Sequence, residues 1–134
     1  MVTVKCEEIF EGSIEKIWTL MTDLHQQNWR TSIIEVKDIG FHKFIEVEKN
    51  NFETELTIIN KVENDVYELN LSNQNMNGHW IGKLQQLSDG RVKLEMTHSI
   101  TMKKKMLPFL VKTYIKQQQN HYMNDLRKAL SNSD

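Results

Sequence analysis

Hydrophobic residues at the start of the chain fall on alternate positions. Val2, Val4, Cys6 and Phe10 share one side of an extended backbone, with Thr3, Lys5 and Glu7 on the other. A period of two marks a strand with one buried face, and Glu8 is the charge that breaks the pattern on the inner side. Gly12-Ser13 then interrupts. Ser13 is a good N-cap, and Glu15 suits the positive end of a helix. Ile14, Ile17, Trp18 and Met21 follow at helical spacing, and Asp23 can cap a second short helix through Gln27. Residues 13–29 are therefore read as two short helices or one bent one.

From Ile33 to Met102 the period of two returns six times. The runs centre on Ile33–Lys37, Lys43–Val47, Phe52–Ile58, Val66–Leu71, Gly78–Leu84 and Val92–Ile100. Turn-forming residues separate them at Ile39-Gly40, Asn50-Asn51, Asn64-Asp65, Asn73 to Asn77 and Asp89-Gly90. Spacings near ten residues fit consecutive hairpins and an antiparallel meander. Pro108, the only proline, suits the first turn of a helix. No glycine or proline follows it before Leu130. Val111, Ile115, Gln118, Tyr122, Leu126 and Ala129 define one helical face, with Lys112, Lys116, Gln119 and Lys128 on the polar side. Such a helix is about 35 Å long, enough to cross a small domain. Ser131 to Asp134 are expected to fray.

The order is strand, short helices, strands, long helix. It predicts one α+β domain over residues 1–134, in which a single long helix covers the buried face of a wide curved sheet. One helix rarely fills the volume such a sheet encloses, and the remaining space is a natural apolar pocket.

Composition narrows the partners. Seventeen basic and eighteen acidic residues leave a formal charge of -1, which argues against a protein built to hold nucleic acid. A lone cysteine, Cys6, cannot staple the fold and fits a reducing, cytoplasmic setting. No export signal or membrane-spanning apolar run is visible. His25, His42, His79, His98 and His121 lie far apart in sequence, without zinc-site spacing. No cofactor, metal or nucleophile motif is present. The oligomeric state is left open.

The ordered set of motifs resembles the START-like superfamily, also called the SRPBCC or Bet v 1-like group, which includes polyketide cyclase/dehydrase-like proteins. Phe10-Glu11-Gly12-Ser13-Ile14-Glu15-Lys16-Ile17-Trp18 is similar to that group's first strand-to-helix junction, with Gly12-Ser13 where Ala-Pro is usual. Asp23 followed by Trp29, and Gly78, Trp80, Leu84, Asp89-Gly90 and Val92-Leu94, resemble its later landmarks, with Arg91 where Thr is common. The resemblance implies the helix-grip fold: a curved antiparallel sheet wrapped around a long C-terminal helix, with two short helices after the first strand. It also implies function classes as varied as lipid carriers, hormone receptors, cyclases, dioxygenase subunits and a chaperone activator, so fold restricts ligand character more than reaction type.

Candidate chemistry follows from residues that break the apolar pattern. His98 lies on the inner face of the cleanest strand, where an imidazole serves either as general acid or base or as a satisfied core residue. Glu8 is a candidate base if buried, or a surface carboxylate if the strand end reaches water. Trp18, Trp29 and Trp80 either pack the core or grip a flat ligand; Gly78 and Gly82 flank Trp80 on one face and leave room beside it. Gln118 and Tyr122 interrupt the apolar helix face and can orient a ligand. Phe52, Trp80, His98, Tyr114, Gln118 and Tyr122 are the expected lining. The expected function is binding or transport of a small hydrophobic molecule of lipid, polyketide or aromatic type. The alternatives are a cyclase or dehydratase with His98 as acid/base, and a protein-interaction module with a collapsed cavity. Lys103-Lys104-Lys105 ahead of Met106-Leu107-Pro108-Phe109-Leu110 offers transient contact with an anionic membrane, without stable insertion, or is simply a solvated hairpin exit.

Overall fold

The computed structural model describes residues 1–132. Nine elements follow in chain order: β1 (Val2–Phe10), α1 (Ile14–Thr22), β2 (Ile33–Gly40), β3 (Lys43–Glu48), β4 (Glu53–Val62), β5 (Val66–Ser72), β6 (Met76–Gln86), β7 (Val92–Met102) and α2 (Pro108–Ser131). The strands form one antiparallel sheet in the order β1-β7-β6-β5-β4-β3-β2. The last six strands are thus a plain meander. β1 pairs beside β7, Val2 opposite Ile100 and Phe10 opposite Val92, so the chain after β1 must cross to the far edge before β2.

The sheet curves, and the pairing shows where. Register shifts interrupt β2/β3 near Ile33 and Gly40 and β4/β5 between Ile58 and Asn60. An extra residue on one strand bends it and increases its twist. The β2–β3 turn lies one step beyond the position expected from Ile39-Gly40. Phe41 and His42 both take positive φ, 57° and 62°, as a two-residue hairpin matched to strand twist requires.

α1 starts as its sequence dictates: the Lys16 N–H donates to Ser13 Oγ at 3.1 Å. The second helix expected over Asp23–Gln27 does not form. Asp23 ends α1, and its carboxylate accepts from the His25 N–H at 3.0 Å. The Gln27 side chain donates to the carbonyls of Leu20 and Asp23, both at 2.8 Å, and Trp29 Nε1 donates to Leu20 at 3.1 Å. Side chains thereby satisfy the carbonyls that a helix end leaves open, and pin residues 23–32 as an irregular strap.

α2 carries Pro108 in its first turn and lies against the inner face of the sheet. Leu126 and Met123 pack with Phe10, Ile17, Trp18 and Leu94, while Val111 and Ile115 pack with Val4, Met76 and Ile100. Each fully buried side chain of this kind contributes about 1.5–3 kcal/mol. The buried face differs from the expected one. Gln119, assigned to the polar side, is 1% exposed, and Asp125 is buried too, whereas Gln118 is only half-buried. Both buried groups have partners inside the protein, which removes most of the cost of burying them. α2 continues through Ser131; the expected fraying of residues 133–134 lies outside the described residues. Among the described residues, no helix is long and apolar enough to cross a membrane.

Candidate functional site

α2, the 23–32 strap and the inner faces of β3 to β7 enclose a cavity of about 140 Å³. Its apolar wall includes Leu24, Leu56, Leu69, Met96, Ile100 and Ile115. Arg30, Glu46, Tyr67, His98, Gln118 and Tyr122 bring polar atoms to it. Tyr114, at 40% exposure, is the one lining residue classed as exposed among the described residues. The mouth of the cavity is therefore on the second turn of α2.

Arg30 is the electrostatic centre. It pairs with Glu46 through a charge-assisted hydrogen bond, each side chain 16% exposed. Its guanidinium also stacks over the Tyr122 ring at 5.0 Å. Burial opposes the charge on Arg30, but the Glu46 carboxylate and the surrounding groups overcome it and hold its pKa above the ordinary value. Glu48 lines the same end; burial and then the Glu46 charge raise its pKa, against the pull of Arg30.

Asp125 locks the strap carrying Arg30 to α2. It accepts from the Thr31 N–H at 2.8 Å and from the Thr31 hydroxyl at 3.0 Å. Asp125→Ala leaves both donors unpaired, and the expected loss is about 1–3 kcal/mol in urea unfolding. Asp125→Asn keeps an acceptor and is expected to lose less. A loss of less than about 0.5 kcal/mol for the alanine variant would mean that the strap is held by other contacts.

His98 faces the cavity from β7, opposite Trp80 on β6 and Val4 on β1. Gln119 Nε2 donates to the Val4 carbonyl and to His98 Nδ1, both at 3.0 Å. With Nδ1 accepting, the neutral ring carries its proton on Nε2. Burial, and then the Arg30 charge, push the His98 pKa down from 6.5 to about 4. At neutral pH the imidazole is uncharged and offers one donor.

Tyr67, on β5, is 2% exposed, and its hydroxyl is buried without a hydrogen-bond partner among the described residues. Burial comes first among the causes that raise its pKa, followed by the neighbouring Tyr122 and the Glu46 charge. Its ring packs edge-on against Trp18 at 6.0 Å and Trp80 at 5.9 Å, and Trp80 in turn meets Tyr122 at 6.1 Å. These contacts hold the phenol rigidly in the cavity wall.

Trp80, His98, Tyr114, Gln118 and Tyr122 all border one cavity. Phe52 does not reach it. It precedes β4 in a turn where Asn51 has a φ of 64°; the Phe52 N–H donates to Asn50 Oδ1 at 3.2 Å, and the Phe52 carbonyl accepts from the Glu48 N–H at 2.9 Å. Phe52 thus lies just ahead of the strand that carries Thr54 and Leu56 to the cavity. Trp18 and Trp29 pack outside the cavity lining, Trp29 edge-on to Tyr122 at 5.2 Å. Glu8 is a surface carboxylate bonded to Arg127 at 3.2 Å. Burial, and then the Glu8 charge, raise the Cys6 thiol to about 11, far from thiolate reactivity.

Sequence reasoning did not single out Arg30, Glu46, Tyr67, Gln119 or Asp125 as site residues. Two left a signal. Tyr67 shares the inner period with Leu69 and Leu71, and Glu46 shares one with Phe44. A carboxylate or phenol on an apolar strand face needs a partner, and that need marks a site. Arg30, Gln119 and Asp125 left none.

The same architecture recurs in solved structures. A START superfamily protein from Mycobacterium smegmatis superposes with a TM-score of 0.88 at 12% identity, over 96% of this chain and 97% of that one. The chain has the START-like helix-grip fold. A conserved protein from Geobacillus kaustophilus shares the helix-grip arrangement with a TM-score of 0.85 at 12% identity, over 97% of this chain and 95% of that one. The Aha1 dimer from Colwellia psychrerythraea gives 0.78 at 14% identity, over 97% and 96%. No protein-family model matches the chain, and no curated protein matches its sequence. Identities this low carry the helix-grip fold and leave the activity to the site.

Proposed function

We propose that the chain binds a small hydrophobic molecule, and more narrowly one aromatic ring bearing a hydrogen-bond acceptor. The ring occupies the apolar wall, and the acceptor meets a donor from Tyr67 or His98. Size supports the narrower reading. The cavity is about 140 Å³, and an apolar cavity of roughly 150 Å³ takes one benzene ring. A long acyl chain or a multi-ring polyketide exceeds that space.

The observation that carries the reading is the unpaired Tyr67 hydroxyl. Burying a hydroxyl without a partner costs about 1–3 kcal/mol, and a ligand acceptor recovers that loss. His98 Nε2–H is the second donor. As a catalytic base it is poorly suited: Nδ1 is occupied by Gln119, and its pKa of about 4 disfavours taking up a proton. This favours binding over a cyclase or dehydratase step.

Acetophenone and ethylbenzene test the proposal, since they are close in size and only the first has a carbonyl. Acetophenone is expected to raise the melting temperature more, by mass action on the folded state. Tyr67→Phe is expected to act in opposite directions on the two states. It stabilises the empty protein by about 1–2 kcal/mol, because an unpaired hydroxyl is removed, and weakens acetophenone about 2- to 12-fold. If neither probe shifts the melting temperature at millimolar concentration, the cavity is not a site for single-ring ligands.

A further inference from the structure

Exposed apolar side chains crowd the start of α2. Met106 is 49% exposed, Leu107 58%, Phe109 62% and Leu110 43%. Met106 and Leu107 lie just ahead of α2 and Phe109 and Leu110 in its first turn, before Val111 turns inward. Tyr114 extends the patch by one turn to the cavity mouth. Beside it, Met1, Met102 and Lys103 to Pro108 line an open groove. Contiguous exposed apolar surface of this kind marks an interaction site.

Charge identifies the occupant. Between Glu95 and Asp125 the chain has no carboxylate, but it has Lys103, Lys104, Lys105, Lys112 and Lys116. All five are exposed, and none pairs with a carboxylate among the described residues. The ammonium of Lys103 is committed to the Asn73 carbonyl. The remaining four flank the apolar residues in sequence, two before and two after, in a chain whose formal charge is only -1. The first turn of α2 has no acidic residue, and its N-cap, Leu107, makes no capping bond, so the lysines there do nothing for helix stability.

We propose that this end of the molecule docks on an anionic lipid bilayer. Met106, Leu107, Phe109 and Leu110 enter the acyl boundary while Lys104, Lys105, Lys112 and Lys116 meet lipid phosphates. Exposed apolar side chains flanked in sequence by unpaired lysines match a layered surface that is apolar within and phosphate-lined at its face. Docking turns the cavity mouth at Tyr114 toward the bilayer, where apolar molecules partition. The proposal does not require an occupied cavity, so it stands or falls apart from the ligand reading.

Flotation with phosphatidylcholine vesicles, with and without phosphatidylglycerol at roughly one lipid in three, tests it. The unliganded protein is expected to float only with the anionic vesicles. Each lysine near the surface contributes roughly fivefold in partitioning, so Lys104→Gln/Lys105→Gln is expected to weaken binding about 25-fold. Phe109→Ser, at an exposed position that leaves the core intact, is expected to weaken it as well. Absence of flotation with anionic vesicles in low salt overturns the proposal. So does flotation that Phe109→Ser leaves unchanged, since the contact would then be charge alone. If soluble polyglutamate binds equally tightly and with the same dependence on Phe109, the partner is an acidic protein and the bilayer assignment is wrong.

Discussion

As the pH falls from 6.5 to 4, the folded protein is expected to lose about 3 kcal/mol of stability through His98 alone. In the unfolded chain His98 takes up its proton near 6.5; in the fold burial and Arg30 delay that step to about 4. Within this window the unfolded state binds the extra proton and the native state does not. The contribution of the neutral ring is therefore full above the unfolded value and declines as the pH falls through the interval, at ~1.4 kcal/mol per unit. His98→Gln removes the titration. Urea unfolding of both proteins at pH 7 and pH 4 is expected to show a loss about 3 kcal/mol greater for the wild type. Parallel losses would mean that the ring titrates as it does in water. That result would also withdraw His98 as a desolvated donor in the cavity wall.

Gly82→Ala is expected to destabilise the protein by about 1–3 kcal/mol and to reshape the cavity. A Cβ on Gly82 would lie 2.6 Å from Trp80 Cη2 and 3.1 Å from Met21 Cε. The indole cannot yield cheaply, because it is rigid and packed against Tyr67 and Tyr122. The small entropic gain of Gly→Ala in the unfolded chain, about 0.4–1 kcal/mol, does not offset such a clash. Trp80→Phe removes the clashing atoms. The double variant is accordingly expected to recover part of the loss made by Gly82→Ala in the same unfolding measurement, a coupling that distant sites do not show. Purely additive effects would mean that Trp80 does not rest on Gly82.

That contact also revises a reading of the sequence. Gly78, Trp80 and Gly82 alternate on one face, which the sequence expects to leave space beside Trp80 for a ligand. The space beside Gly82 exists, and the indole itself fills it. Alternation told which side of β6 faces inward. It did not tell which way a side chain would lean.

Local patterning determined the order of elements. Period-two runs became β1 to β7, Ser13 capped α1, and Pro108 opened α2, because each of these depends on residues within a few positions of one another. Of the expected lining residues, Trp80, His98, Gln118 and Tyr122 lie on faces that the same periodicity defines, and all four border the cavity. The polar centre of the site did not follow from it. Arg30 finds Glu46 sixteen residues away, Thr31 finds Asp125 after 94, and Gln119 finds Val4 after 115. Periodicity carries no information about such pairs. Asp125 and Gln119 read as ordinary polar positions on a helix until the sheet curves and supplies their partners. The sequence alone thus determined a sheet, a covering helix and an apolar interior. Only the tertiary structure decided which polar groups survive there, because a buried charge or amide is tolerated only where distant partners meet it.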